Sequence, residues 1–300
     1  MIKEINMENK IGIDLGGTKI EGVLLDENHT VIKRERVLTE RENGYESIIQ
    51  KIIELAQVLI ASGDVKGPIG ICTPGAIDPT SSKMKNSNTI CLIGQPLRED
   101  LEQELGVPVF MENDANCFAL AEATLGAAQG YGVVFGVILG TGCGGGIVIN
   151  NKIHSGPNRI SGEWGHHVLY PNGKSCYCGN NGCTEQYISG TALENHWHEL
   201  AGEFQSVADI VNKKLYQDHP EWKETFLLNF GRGLANVIDI LDPDAIVIGG
   251  GVSNVDFLYS EGKKSVYKET FSEHVVTPII RNQLGDSAGV FGAAMLGEIF

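Results

Sequence analysis

Short apolar runs and one long amphipathic segment dominate the first part of the chain. "KIGID" (10–14) and "IEGVLL" (20–25) are rich in β-branched residues and flank the turn "LGGTK", which predicts a β-hairpin. Alternating apolar and polar residues in "TVIKRERVL" (30–38) add a third strand. From 45 to 63, apolar residues recur at helical spacing, and Gly63 is a stop signal. This region therefore predicts a three-stranded meander followed by a helix.

The remaining apolar runs predict an alternation of strands and helices. "PIGIC" and "VPVFM" are strand candidates separated by a helix over 97–105, and "DANCFALAEATLG" predicts a helix from Asp114 to Gly126. "YGVVFGVIL" and "GIVIN" flank a second glycine turn and repeat the pattern of the first hairpin. Helices dominate 190–241, "DAIVIGGGVSN" is a further strand and turn, and "SAGVFGAAMLGEIF" is a closing helix. The weak repeat indicates two related lobes.

Length and charge narrow the class of protein. A chain of 300 residues favours two lobes over one core. Its formal net charge of −15 repels phosphate backbones, so we expect no nucleic-acid partner. The N-terminus lacks a signal-peptide pattern, and no apolar run is long enough to cross a bilayer, so we expect a cytoplasmic protein without a membrane partner. Reduced thiols and an odd number of cysteines, seven, argue against disulfides.

Three glycine turns are candidate phosphate sites. Successive backbone N–H groups in such turns can hold phosphate oxygens, although tight hairpins also need glycine for conformational reasons alone. The middle turn satisfies G-x-G-x-x-G, but a strand follows it where the dinucleotide motif requires a helix. Any phosphates would therefore bind at hairpins, as in actin-like ATPases. The turn residues are Gly16, Gly17, Thr18 and Lys19; Gly140, Thr141 and Gly142; and Gly249, Gly250 and Gly251.

An acid lies at a predicted strand–helix junction. In "MENDAN", Asn113 and Asp114 are good helix N-caps, which is the structural interpretation. The functional interpretation is a general base on Asp114 that takes the proton of an attacking hydroxyl. The two roles are compatible, because capping would hold the carboxylate in place.

A histidine and three cysteines have the composition of a zinc site. His166 in "SGEWGHH" precedes "CYCGNNGC", so His166, Cys176, Cys178 and Cys183 supply one imidazole and three thiolates, an accepted closed tetrahedral set. A reduced cysteine cluster or a redox couple are the alternatives. Zinc here would brace the loop that carries Glu163 and fix the tautomer of the histidine.

Several acceptors would then lie near one another. Glu185 follows the last cysteine by two residues, and with Asp114 and Glu163 it would make a site suited to a polyhydroxylated neutral ligand.

Eight stretches together resemble the ROK family of sugar kinases and repressors over essentially the whole chain. They are "IDLGGTK", "TPGAID", "ENDANCFALAEA", "LGTGCGGGI", "GEWGHH", "CYCGNNGCTEQYISG", "IVIGGGVSN" and "LGDSAGVFGAA". The resemblance implies an α/β fold of the actin-like/hexokinase (ribonuclease H-like) type, with two lobes and a cleft between them. The expected lobes are 1–114 plus about 288–300, and 115–287 with the zinc-binding loop.

The resemblance also implies roles for particular residues. Asp114 would deprotonate the 6-hydroxyl of a hexose for attack on the γ-phosphate of ATP, and Asp14 would bind the water shell of Mg²⁺. Residues 14–19 and 140–142 would hold phosphates, and 249–251 would lie on the adenosine side. The knuckle, which consists of His166, Cys176, Cys178 and Cys183, would hold structural Zn²⁺. The implied sugar-binding residues are Asn113, Asp114, Glu163, His166, Glu185, Gly75 and Asn88.

The resemblance favours a homodimer and a fructokinase of the bacterial fructokinase/mannokinase branch. N-acetylglucosamine kinase and glucokinase are the alternatives. ROK repressors carry a helix-turn-helix domain ahead of the kinase-like part, and here the first hairpin begins near residue 12, which disfavours that class. A catalytically inactive sugar-binding module is disfavoured because the Asp114 carboxylate is present.

Overall fold

The computed structural model describes residues 9–63, 65 and 67–298. The strands are β1 Lys10–Leu15, β2 Lys19–Leu25, β3 Val31–Leu38, β4 Ile69–Thr73, β5 Ala76–Ile77, β6 Met84–Lys85, β7 Val109–Asn113, β8 Val133–Leu139, β9 Cys143–Ile149, β10 Lys152–Ile153, β11 Ala245–Gly249 and β12 Ile279–Arg281. The α-helices are α1 Tyr45–Ile60, α2 Leu97–Leu105, α3 Asp114–Thr124, α4 Glu185–Ile188, α5 Gly190–Ala201, α6 Val207–Asn212, α7 Pro220–Leu241, α8 Glu261–Glu269 and α9 Ala288–Met295.

These elements form two compact units. Unit 1 comprises the described residues up to Ala121, Ser155–Ile160 and those from Ser287 on. Unit 2 comprises Glu122–His154 and Ser161–Asp286. The predicted lobes, 1–114 with about 288–300 and 115–287, differ from these units in their bounds and by the short segment 155–160, and they stay a prediction.

Unit 1 is built on a five-stranded sheet in the order β3-β2-β1-β4-β7. The β1–β2–β3 meander is antiparallel, and β4 and β7 run parallel to β1. Helix α1 buries its apolar stripe, which includes Ile48, Ile52 and Leu59, in the core that contains the central strands. The fully buried β4 reads as a continuous apolar run because central strands are covered on both faces.

Helix α9 approaches the unit 1 sheet at backbone distance. A side chain on Gly70 of β4 would collide with the carbonyl of Ala293, and one on Gly12 of β1 would collide with that of Val290. Glycine is therefore needed at both positions for close approach rather than for an unusual φ angle. This packing sets α9 over β4 and over β1, the strand that leads to the first glycine turn.

Unit 2 repeats the same sheet plan in the order β10-β9-β8-β11-β12. The β8–β9–β10 meander is antiparallel, and β11 and β12 extend the sheet in parallel. The long helix α7 begins at Pro220, which suits a first helical position, and it buries Trp222, Phe226 and Phe230. The core of this unit is therefore more aromatic than that of unit 1.

The secondary structure predicted from the apolar pattern is confirmed for both hairpins, the third strand, α1 and the helix over 97–105. The helix from Asp114 ends at Thr124, two residues before the predicted Gly126. None of the helices in the described ranges is both long enough and apolar enough to span a bilayer.

Glu122 is fully buried and holds two chain segments of unit 2 together. Its carboxylate accepts hydrogen bonds from the backbone N–H groups of Ala127, Gln283 and Leu284, at 2.8–3.1 Å. A charged acceptor with several donors is among the strongest hydrogen-bond arrangements in proteins.

We expect Glu122→Gln to lower the free energy of unfolding by about 1–3 kcal/mol, because the amide NH₂ would face backbone donors and leave them unpaired. Urea denaturation measures the change. Glu102→Gln is the matched control, because Glu102 accepts only the Val109 N–H, at 3.0 Å, and a glutamine carbonyl can replace it. Equal stability losses for the two variants would contradict the prediction.

Candidate active site and metal centre

The first glycine turn joins β1 and β2 tightly. The Gly16 N–H donates to the Lys19 carbonyl at 3.0 Å, and the Thr39 hydroxyl donates to the Gly16 carbonyl at 2.7 Å. Thr39 also donates its N–H to the Thr18 carbonyl, at 2.9 Å. The structure thus brings the predicted residues 14–19 together in one braced hairpin, as phosphate binding by backbone N–H groups requires.

Asp14 lies one residue before the end of β1 in a crowded environment. The pKa of Asp14 is raised to about 6, chiefly by burial and also by the negative charges of Asp114 and Glu21, against a hydrogen bond from Cys72 and the charge of Lys19. Carboxylate oxygens are the ligands that Mg²⁺ prefers, and a cation would relieve this repulsion.

The junction between β7 and α3 fixes the side chains of Asn113 and Asp114. The Asn113 side-chain oxygen accepts the Asn116 N–H at 2.8 Å, which is the expected N-cap bond. Asp114 Oδ1 accepts the Ala115 N–H at 2.8 Å, and Asp114 remains accessible to solvent. Desolvation raises the pKa of the Asp114 carboxyl, whereas hydrogen bonds from the backbone N–H groups of Ala115 and Asp114 itself lower it. A raised pKa suits a general base.

Sequence reasoning missed Glu112, the residue before this corner. It is buried and accepts hydrogen bonds from Ser155 Oγ at 2.6 Å, Arg159 Nη1 at 2.8 Å and Asn116 Nδ2 at 3.0 Å. The contacts with Ser155 and Arg159 bind segment 155–160 to the rest of unit 1, two residues from Asp114 in the chain. The sequence offered only its position between the predicted strand "VPVFM" and Asn113.

Two other predicted sugar contacts of unit 1 lie near the β5–β6 ribbon. Gly75 has no room for a side chain, because a Cβ would lie 2.6 Å from the Lys85 carbonyl. Asn88 is exposed, and its Oδ1 lies 3.4 Å from the Thr89 hydroxyl. Their role in sugar binding stays a prediction.

The second glycine turn, in unit 2, is held by two other elements. The Gly190 N–H at the start of α5 donates to the Gly140 carbonyl at 2.7 Å. Glu185 Oε2 accepts the Cys143 N–H at 2.8 Å, which leaves Glu185 Oε1 without a partner among the described residues. Glu185 therefore couples the predicted sugar-binding set of this unit to the predicted phosphate hairpin.

A cavity of about 370 Å³ opens beside this hairpin. Gly250 precedes the lining residue Gly251 in the chain, and its φ of 81° lies in the left-handed region that favours glycine. The residues that α5 and α6 contribute were not predicted from the sequence. The lining consists of Gly140, Thr141, Gly190, Thr191, Glu194, Ser206, Val207, Ala208, Gly251 and Val252.

The four predicted metal ligands converge in unit 2. Ligand atoms of His166, Cys176, Cys178 and Cys183 all lie within 4.8 Å of one another. The sulfurs of Cys178 and Cys183 are 3.6 Å apart, and His166 Nδ1 lies 3.6 Å from Cys176 Sγ. Tetrahedral zinc with bonds of about 2.3 Å to sulfur places sulfurs about 3.8 Å apart, so these residues fit the ion.

The other ring nitrogen of His166 has a partner that the sequence did not predict. Nε2 lies 2.9 Å from the hydroxyl of Tyr177, and the two rings meet edge to face with centroids 5.2 Å apart. Tyr177 is 80% exposed. Glu163 precedes the 3₁₀ turn Trp164–His166 and is exposed, so the turn carries Glu163 and His166 together.

Paired hairpins on two sheets of one strand order are the arrangement of the actin-like α/β class, so the predicted fold class is confirmed. A model of the ROK family matches residues 10–298, and the chain belongs to that family. An N-acetyl-D-glucosamine kinase of Vibrio cholerae is 37% identical over 297 residues, which are 95% of this chain and 98% of that protein.

Two solved structures are similar over nearly the whole chain. A ROK hexokinase from Thermus thermophilus superposes with a TM-score of 0.87 at 32% identity and covers 97% of this chain and 98% of its own. A ROK family glucokinase from Streptomyces griseus, solved with glucose and AMPPNP, has a TM-score of 0.78 at 31% identity and covers 97% and 99%.

We expect one zinc ion per chain by elemental analysis, and Cys178→Ser to lower both the metal content and the melting temperature, because it removes one of four ligands. Cys91→Ser is the control, since Cys91 lies outside the cluster. Metal-free wild-type protein of unchanged stability would contradict the prediction.

We expect the Asp14→Asn variant without nucleotide to have a higher free energy of unfolding than the wild type above pH 6, by at most about 3 kcal/mol. The pKa of Asp14 is raised from 3.8 to about 6 in the folded protein, so deprotonation between these values costs native stability that asparagine does not lose. The difference should vanish near pH 4. Urea denaturation from pH 4 to 7.5 tests this, and a difference independent of pH would refute it.

Proposed function

We propose that this protein is an ATP-dependent kinase that phosphorylates the 6-hydroxyl of N-acetylglucosamine. The observation that carries the kinase proposal is the Asp114 carboxylate, solvent-accessible and fixed at a rigid corner in the same unit as Asp14 and the first hairpin. The identity of the sugar rests on the full-length similarity to an N-acetyl-D-glucosamine kinase.

Asp114 acts as the general base in this proposal. Its Oδ1 is held by the Ala115 N–H, so the carboxylate keeps its orientation while a sugar hydroxyl donates to it. Because protein surroundings raise its pKa, Asp114 binds the proton more readily than an exposed aspartate does. Deprotonation of the hydroxyl accompanies its attack on the γ-phosphorus of ATP, the bond from that phosphorus to the β,γ-bridging oxygen breaks, and ADP leaves.

The hairpins and Asp14 provide for the phosphates. The turns at residues 16–19 and 140–142 donate backbone N–H groups to phosphate oxygens, apart from those of Gly16 and Gly140, which are bonded within the turns. Mg²⁺, when bound, supplies the positive charge that neutralises the phosphates, and Asp14 is the residue that would hold it through water.

Glu163, His166 and Glu185 supply hydrogen-bond partners for the sugar. Glu185 Oε1 is unpaired in the described part of the chain and can accept a hydroxyl, whereas Oε2 remains on the Cys143 N–H. The His166 Nε2 contact passes from Tyr177 to the sugar by rotation of a side chain that is 80% exposed. Structural zinc at Nδ1 would fix the tautomer of His166.

The sugar preference expected from the sequence was fructose, and the comparisons do not confirm it. The N-acetyl-D-glucosamine kinase similarity fits the stated alternative better. Glucose is a second candidate, because a glucokinase of the family solved with glucose is 31% identical. The homodimer and the cytoplasmic location remain predictions.

The test is a coupled assay of ATP-dependent phosphorylation over N-acetylglucosamine, glucose, fructose, mannose and N-acetylmannosamine. We expect the highest kcat/KM for N-acetylglucosamine. Asp114→Asn should lower kcat at least about 100-fold while the sugar still binds by calorimetry, because asparagine keeps the Ala115 contact but is no base.

Asp26→Asn is the matched control for loss of an aspartate charge in unit 1. Asp26 accepts N–H groups of its own loop, and an asparagine oxygen can do the same, so activity should not change. A preference for another hexose would overturn the choice of sugar. Activity with none of the five sugars, or full activity of Asp114→Asn, would overturn the kinase mechanism.

A further inference from the structure

Helix α5 places one carboxylate, Glu194, in the lining of the cavity beside the second hairpin. The volume of about 370 Å³ lies within the range of about 300–1,000 Å³ that is usual for small-molecule sites. One end of the lining is the glycine turn at Gly140 and Thr141, and all of the lining belongs to unit 2. Phosphate binding does not explain an acid here, because a carboxylate repels phosphate oxygens.

One oxygen of Glu194 is occupied and the other is available. Oε1 accepts the Val207 N–H, at 3.2 Å, in the first turn of α6. Oε2 has no partner among the residues that the structure describes. The carboxylate is therefore oriented by the protein while keeping a free acceptor for a ligand that donates hydrogen bonds. In a nucleotide, such donors are the ribose hydroxyls and the base amino group.

The distance along α5 distinguishes these donors. The hydrogen bond of 2.7 Å from the Gly190 N–H to the Gly140 carbonyl fixes the start of the helix against the hairpin. Glu194 follows four residues later, which is about 6 Å along the axis at 1.5 Å per residue. The ribose is bonded directly to the α-phosphate, whereas the amino group lies at the far side of the base, so the ribose is the part of ATP at this distance.

We propose that Glu194 accepts hydrogen bonds from the 2′- and 3′-hydroxyls of the ribose and makes the kinase selective for ribonucleotides. A carboxylate that binds ribose hydroxyls is an established arrangement in other nucleotide sites. The inference rests on the proposed function, because it takes the cavity as the nucleoside site of ATP.

A purely structural role for Glu194 is the competing explanation. It would stabilise α6 through the Val207 N–H, but Ser206 already caps that helix by accepting the Asp209 N–H at 3.1 Å. A structural role would affect every nucleotide alike, whereas ribose binding affects only nucleotides that carry the hydroxyls.

The experiment compares ATP, 2′-deoxy-ATP and 3′-deoxy-ATP in wild type, Glu194→Ala and Glu194→Gln. In the wild type, we expect each deoxy nucleotide to have a KM about 10- to 100-fold above that of ATP, with little change in kcat, because a hydrogen bond to a charged group is lost. Glu194→Ala should raise the KM for ATP by a similar factor and leave that for 2′-deoxy-ATP within about twofold. Glu194→Gln keeps an acceptor for Val207 and should lose most of the discrimination.

Glu199→Gln is the matched control. Glu199 is an exposed acid on the same helix, 3.4 Å from Lys174, and its loss should leave the ATP to 2′-deoxy-ATP ratio unchanged. Equal KM increases for ATP and 2′-deoxy-ATP in Glu194→Ala would overturn the inference in favour of a structural role. A change in discrimination between ATP and ITP instead would assign Glu194 to the base and also overturn it.

Failure of the proposed function gives a different result. Calorimetry of the wild type with ATP alone reports binding independently of sugar chemistry. Absence of ATP binding would overturn the nucleotide site, and with it both proposals. ATP binding that is equal to that of 2′-deoxy-ATP would overturn only the assignment of Glu194.

Discussion

The closeness of two carboxylates in unit 1, Asp14 and Asp114, is the constraint on which the candidate active site depends. Desolvation by the surrounding protein raises the pKa of both groups, and the charge of Asp114 raises that of Asp14 further. The fold holds them because β1, β4 and β7 run side by side and end at the same edge of the sheet. Helix α9, packed against glycine backbone, braces this edge. An arrangement that is unfavourable without ligands is suited to a cation and a transferable proton.

The sequence predicted those parts of the molecule in which neighbours in the chain are also neighbours in space. The hairpins, α1 and the corner at Asp114 follow from local periodicity, turn chemistry and capping. The convergence of the knuckle residues was predictable because three cysteines and a histidine so close together in the chain are typical of a metal site.

Contacts between distant segments were not predictable from the same signals. Glu112 binds Arg159, Glu122 binds Gln283, and Glu194 binds Val207, and in each case the partner lies in another segment of the chain. Tyr177 was missed for a different reason: it lies between two ligands, but only ring geometry brings its hydroxyl to His166. Sugar choice has the same character, since it depends on the placement of single hydroxyl contacts more than on the family motifs.

The two sheets share one strand order, but they differ at the penultimate residue of the strand before each glycine turn. In unit 1 this residue is Asp14, and at the matching place in unit 2, before Gly140, it is Ile138. The strand before the first turn therefore brings a carboxylate to its hairpin, whereas the acid at the second hairpin, Glu185, comes from α4 instead. The same strand plan therefore supports two glycine turns of different local chemistry within one chain.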